Sequence, residues 1–179
     1  MKPLKEYTIP FVGLKIGTHT FDYKIEKKFF DFFEYEDFND VNLKIDLFLE
    51  KKTTLLDLTF DISGTVNVNC DITNEPYDQP IEGTYPLVVK FGPEYNDEGE
   101  DILIIPHGEY EINVAQYIYE FIILSVPAKR IHPGIEDGTL ESDILTKLEE
   151  LSPKDDDSKE PSEDIDPRWE TLKKLLTDK

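Results

Sequence analysis

The chain is short of positive charge, of cysteine and of long apolar runs, and each shortage excludes something. Only 19 of its 179 residues are Lys or Arg, against 39 Asp and Glu, which leaves a formal net charge of −20. Two arginines occur, Arg130 and Arg168. Phosphates are bound mostly by Arg and Lys, so direct sequence reading of RNA or DNA is disfavoured, although a locally basic face is compatible with this total. The single cysteine, Cys70, excludes an intramolecular disulfide and a cysteine-based zinc cluster. No run approaches the roughly 18 apolar residues of a membrane-spanning helix. The opening Met1-Lys2-Pro3-Leu4-Lys5-Glu6 has no signal-like apolar block, so a cytoplasmic address is expected.

What is present is an aromatic, alternating sequence. Apolar residues make up 39% and aromatics 12% of the chain, enough for a real core and too much for an acidic disordered protein. Val41, Leu43, Ile45, Leu47 and Leu49 alternate with Asn42, Lys44, Asp46 and Phe48, the period of a strand with one wet face. Leu56, Leu58, Phe60 and Ile62 repeat the pattern. Val66, Val68, Cys70 and Ile72 resume it in phase beyond Ser63-Gly64, which predicts one long strand bent at Gly64 or two strands in line. Residues 81–91 alternate again, residues 102–105 form a short buried strand, and Tyr7-x-Ile9-x-Phe11 and His19-x-Phe21-x-Tyr23-x-Ile25 add strands near the N-terminus. Strands with one polar face form antiparallel sheets.

Helical spacing is rarer. Ile25, Phe29, Phe32 and Phe33 fit one face of a short helix. From Ile112 to Val126 the only polar stripe is Asn113, Gln116 and Glu120, and Pro127 supplies a stop, which predicts a mostly buried helix packed on the sheet. Leu140, Ile144, Leu148 and Leu151 predict an exposed amphipathic helix. Asp166-Pro167 starts a last one, whose stripe is Trp169, Leu172, Leu175 and Leu176. Residues 93–101 read as an exposed acidic loop. The expected organisation is a single α+β domain over 1–151, an antiparallel, strongly bent sheet packed against a few helices, then an acidic linker over 152–165 and a tethered C-terminal helix over 166–179. The acidic run at 155–164 reads as solvated linker, with docking to a basic partner the other reading.

A catalytic site is hard to assemble from these residues. Nucleophile, base and orienting group must converge. Cys70 sits on the buried phase of its strand and reads as an inert thiol, and His19 reads as a hydrogen-bonded core histidine. His107 lies in a turn, and His132 follows Lys129-Arg130-Ile131 at a helix exit, a solvated loop or a small basic contact patch. The histidines are too far apart in sequence for a zinc pattern, the loop at 96–101 is too irregular for an EF-hand, and no glycine-rich phosphate loop occurs. No cofactor, metal or catalytic residue is expected.

Three segments, in order, resemble one family. Gly64-Thr65-Val66-Asn67-Val68-Asn69-Cys70-Asp71-Ile72-Thr73-Asn74-Glu75-Pro76 is similar to the Gly-x-Val-x-x-x-Cys-x-x-Cys-x-Glu-Pro segment of the YceD family, the large ribosomal RNA subunit accumulation proteins. Residues 112–132, an apolar stretch followed by Pro127 and by His132-Pro133, resemble a second family segment. Asp166-Pro167-Arg168-Trp169 with the leucines after it resembles the closing Asp-Pro-Arg segment. Gly13-Leu14-Lys15-Ile16-Gly17 and Phe29-Phe30 resemble the branch found in Bacteroidetes-type bacteria. Thr73 stands where the second cysteine would be, and the cysteine cluster that many members carry before Asp-Pro-Arg is missing, so a paired-thiol or zinc property does not transfer.

The resemblance implies a cytoplasmic, non-catalytic factor needed for large-subunit ribosomal RNA to accumulate. The charge adds that contact is with a basic ribosomal or ribosome-assembly protein, with association to ribosomal RNA indirect and no membrane partner. The expected contact residues are Arg168, Trp169, Leu172 and Leu176, with docking of that stripe on its own domain the equal alternative, and secondarily Lys129, Arg130 and His132. The alternative is a small-molecule or lipid-binding module with an aromatic cavity built from Phe29, Phe32 and Phe33.

Overall fold

A computed structural model describes residues 4–97, 99, 101–140 and 142–152. Contacts divide the chain into two units, Met1–Glu141 and Ser142–Lys179. The first holds β1 (Thr8–Ile9), β2 (Gly17–Glu26), α1 (Lys27–Asp31), β3 (Asp40–Lys51), β4 (Leu55–Asn69), β5 (Pro76–Gly92), β6 (Ile102–Pro106), β7 (Ile112–Asn113), α2 (Ala115–Ser125) and α3 (Pro133–Glu136). A five-stranded sheet runs in the order β2-β3-β4-β5-β6, and β1 pairs with β7 in a small second sheet. The alternating sequence dictates this. Strands β3 and β4 send every second side chain to one face, and there Leu43, Ile45, Leu47, Leu49, Leu56, Leu58, Phe60 and Ile62 are buried. The fold is α+β and dominated by antiparallel pairs, as the sequence predicts. The exception is β6, which runs parallel to β5. The loop between them turns back first, bridging Asn96 antiparallel to Ile104.

Strand β4 is continuous through Gly64, the first of the two expected alternatives. Gly64 has φ +137°, and a Cβ there would meet the Asn42 carbonyl oxygen at 2.3 Å, so the close approach of β3 demands glycine. Helix α2 lies on the inner face. Phe121 meets Phe60 edge-on at 5.1 Å and stacks flat on Tyr85 at 4.8 Å, and the Ser125 hydroxyl bonds to Tyr85 Oη at 3.0 Å. The N-terminal segment is pinned by Lys51, whose ammonium donates to the carbonyls of Phe11 and Leu14 at 2.7 and 2.8 Å.

Two helix expectations are corrected. Ile25 is not on a helix with Phe29: Glu26 is extended, Ile25 stays in the β2 ladder opposite Leu43, and α1 starts at Lys27. Phe29 and Phe30 are buried, while Phe32, past the helix end, is 53% exposed. The stretch from Ile112 opens as β7, and the Asn113 side chain accepts the Ala115 N–H at 3.0 Å, which starts α2 there. Its wet stripe is real, with Gln116 hydrogen-bonded to Glu120 one turn on. In the second unit, α4 (Asp143–Leu151) is N-capped by the Ser142 hydroxyl and exposes Ile144, Leu148 and Leu151. Leu140 precedes that helix in the chain and belongs to the first unit. The expected linker and C-terminal helix, from residue 153 onward, lie outside the described residues.

Candidate functional site

The end of β4 and the segment after α2 meet in one knot, so two of the three segments singled out in the sequence are neighbours in space. Beyond β4 the chain turns tightly. The Cys70 N–H bonds to the Glu75 carbonyl at 2.9 Å, and Asn74, with φ +59°, returns its N–H to the Cys70 carbonyl. Asp71 then holds Arg130 three ways. Its N–H donates to the Arg130 carbonyl at 2.8 Å, its carboxylate accepts the Arg130 N–H at 2.7 Å, and the guanidinium approaches the same carboxylate at 3.3 Å. A charged acceptor on a backbone N–H makes this a strong joint.

His132 is a structural pin rather than a solvated loop cation. It is half-buried and caps α3, its Nδ1 accepting the Gly134 N–H at 2.9 Å, and its ring meets Tyr77 edge-on. Its backbone N–H donates to Cys70 Sγ at 3.3 Å. Cys70 and His132 are thus in contact, yet the imidazole does not face the sulfur and no thiol–imidazole dyad forms. Burial pushes the Cys70 thiol pKa up, but N–H groups of His132, Thr73 and Ile72 together with the Thr73 hydroxyl outweigh it and hold the thiol below its ordinary value. Thr73, itself buried, fills the second cysteine position of the family segment and turns its hydroxyl to the sulfur.

Beside the knot runs a chain of side-chain amides. Asn39 donates to Asn67 at 3.1 Å and to Asn69 at 2.8 Å, and Asn67 donates to Asp78 at 2.7 Å. Asn39 and Asn69, with Asp71, Asn74, Arg130, Glu36 and Asp37, line an open polar cleft of about 470 Å³. Among the described residues, no three Asp, Glu, His or Cys side chains converge as a metal site.

Of the expected contact residues, Lys129, Arg130 and His132 lie at this knot. Lys129 is exposed, whereas Arg130 and His132 are half-buried and committed to internal bonds. Arg168, Trp169, Leu172 and Leu176 lie outside the described residues. Asp71 and the asparagines were missed. Their only trace is that Asn67 and Asn69 share the wet phase of β4, and no local pattern links Asp71 to a residue 59 positions on. His19 is hydrogen-bonded, as expected, through Nε2–H to the Lys15 carbonyl at 2.8 Å, but only half-buried. Phe29 and Phe33 are spent on packing: Phe29 touches the rings of Tyr7, Phe30 and Phe33, and Phe33 stacks on Tyr119 at 4.3 Å.

No helix among the described residues is long and apolar enough to cross a membrane. No curated protein matches the chain, and no solved structure does. A family model described as Large ribosomal RNA subunit accumulation protein YceD matches residues 58–176, a span that takes in the turn at Cys70, the joint between Asp71 and Arg130 and helix α2. The chain therefore belongs to the YceD family, whose name assigns it a role in the accumulation of large-subunit ribosomal RNA.

Proposed function

We propose that this chain supports large-subunit ribosomal RNA accumulation as a non-catalytic cytoplasmic binding factor, by contact with a basic ribosomal or ribosome-assembly protein. The observation that carries the reading is the pairing of family membership with a net charge of −20. An accumulation factor with that charge is repelled by bare RNA at long range and attracted by the Lys- and Arg-rich proteins that coat it. The arrangement at the knot agrees with a binding role. Its one thiol is sealed among backbone donors, and its histidine is occupied as a helix cap.

The test is affinity capture of the full-length chain from bacterial extract, with and without nuclease and across a salt series. The expected result is a basic protein retained after nuclease and released by salt. Capture that disappears with nuclease overturns the protein-contact reading and leaves the family role standing.

A further inference from the structure

The outer face of the five-stranded sheet carries a charge pattern that folding does not require. Cross-strand register places Asp22, Asp46 and Asp61 directly opposite one another on β2, β3 and β4. Like charges in that position repel and destabilise a sheet. Lys44 pairs with Asp46 at 2.8 Å and attracts Asp22 more weakly, and Asp61 is met by the Thr84 hydroxyl at 2.8 Å. Two residues along the strands, the next row is uncharged: Thr20, Phe48, Thr59 and Pro86. Phe48 is 39% exposed, an aromatic ring between the two charged rows. Two residues further, Glu50 and Asp57 stand opposite each other, bridged by the Lys52 ammonium.

The result is a charge trough across four strands: an uncharged row centred on Phe48, with carboxylates on both sides of it on β3 and β4 and on one side on β2. Sheet spacings give it a length of about 15 Å and a separation of about 13 Å between its borders. Resting on the protein-contact reading above, we propose that this trough is where the basic partner docks, as an extended Arg- or Lys-rich segment. Alternate side chains of an extended segment point opposite ways, so successive cations reach the two carboxylate rows. The long stems of those cations cover Phe48, and a guanidinium stacks on its ring. Five carboxylates against two lysines supply the complementary charge, and the same carboxylates repel an RNA backbone.

The experiment titrates the full-length chain with a fluorescein-labelled peptide of consecutive arginines, at low ionic strength. Variants are Asp22→Asn with Asp61→Asn, the charge-neutral Phe48→Ser, and a control, Glu109→Gln with Glu111→Gln, that removes equal charge from an exposed turn. The expected result is affinity reduced about tenfold by each of the first two variants and little by the control. Equal loss in control and aspartate variants makes bulk charge the cause and overturns the trough, as does Phe48→Ser binding like the parent. A parent that ignores the peptide and binds oligouridine also overturns it. If the trough variants bind normally while nuclease-resistant capture persists, the trough falls and the protein-contact reading stands. If capture is nuclease-sensitive, that reading falls by itself.

Discussion

The two faces of the central sheet are made by the same strands and obey different rules. On the inner face β3 and β4 are apolar and buried at all but Lys51 and Gly64, and α2 completes the packing. On the outer face the same strands hold aspartates in line and leave Phe48 in water. Burial accounts for the first pattern entirely. Burial does not explain the second, which sets like charges opposite one another across β2, β3 and β4.

The comparison is most sharply drawn with two phenylalanines. Phe60 on β4 is fully buried against Phe121, and Phe48 on β3 is exposed. Phe60→Ala is expected to cost about 3–5 kcal/mol by leaving a cavity. Phe48→Ala is expected to stay within about 0.5 kcal/mol, as surface changes do. Urea unfolding of both variants measures this, and a large cost at Phe48 breaks the contrast.

Gly64 is where the β3 and β4 backbones come closest to excluding a side chain, since an added Cβ would meet the Asn42 carbonyl oxygen. Gly64→Ala is expected to cost about 1–3 kcal/mol from its φ of +137° alone, and the contact with the Asn42 carbonyl adds to that. A thermal melt close to the parent's would mean that the strand relaxes to admit a side chain there.

Much of the inner face was legible in the sequence, because alternation records burial directly: β3, β4 and β5 lie where the apolar phase places them. Residues near the helices misled for a physical reason. Ile25 and Phe29 satisfy helical spacing and also end a strand, and only the extended backbone at Glu26 decides between them. Likewise Ile112 and Asn113 pair with β1, far away in sequence, before α2 begins. At the knot, the Cys70 segment and the segment from Arg130 to Pro133 were visible separately. Their joint through Asp71 was not, since a carboxylate gripping a distant backbone N–H leaves no periodicity. The outer rows were invisible too, because like charges line up only once register is known.

The knot supplies a pH test of smaller size. The Cys70 pKa is held below its unfolded value of about 8.5 by the surrounding N–H groups and the Thr73 hydroxyl, which favour the thiolate against burial. A depressed pKa contributes stability that is present above the unfolded value and lost as pH falls through the folded one. The stability difference between the parent and Cys70→Ala is therefore expected to grow as pH is raised toward about 8.5 and to level off above it. Urea midpoints across that range read it, and a difference independent of pH would show the sulfur to be held only as packing.

The smallest effect is also the one that bears most directly on the outer face. Asp22 forms no close ion pair among the described residues and stands opposite Asp46, which holds Lys44 at 2.8 Å, so that Asp22 attracts that ammonium only from further off. Removing its charge relieves a like-charge pair, so Asp22→Asn is expected to raise stability by about 0.2–1 kcal/mol. The gain should shrink as salt is added, because exposed charges are screened within about 10 Å at 0.1 M ionic strength. A stabilising substitution at an exposed position marks a site where folding alone would not have chosen the native residue. A loss of stability at every salt concentration would instead mean that Asp22 is held by the fold, and the aspartate row would need no partner to explain it.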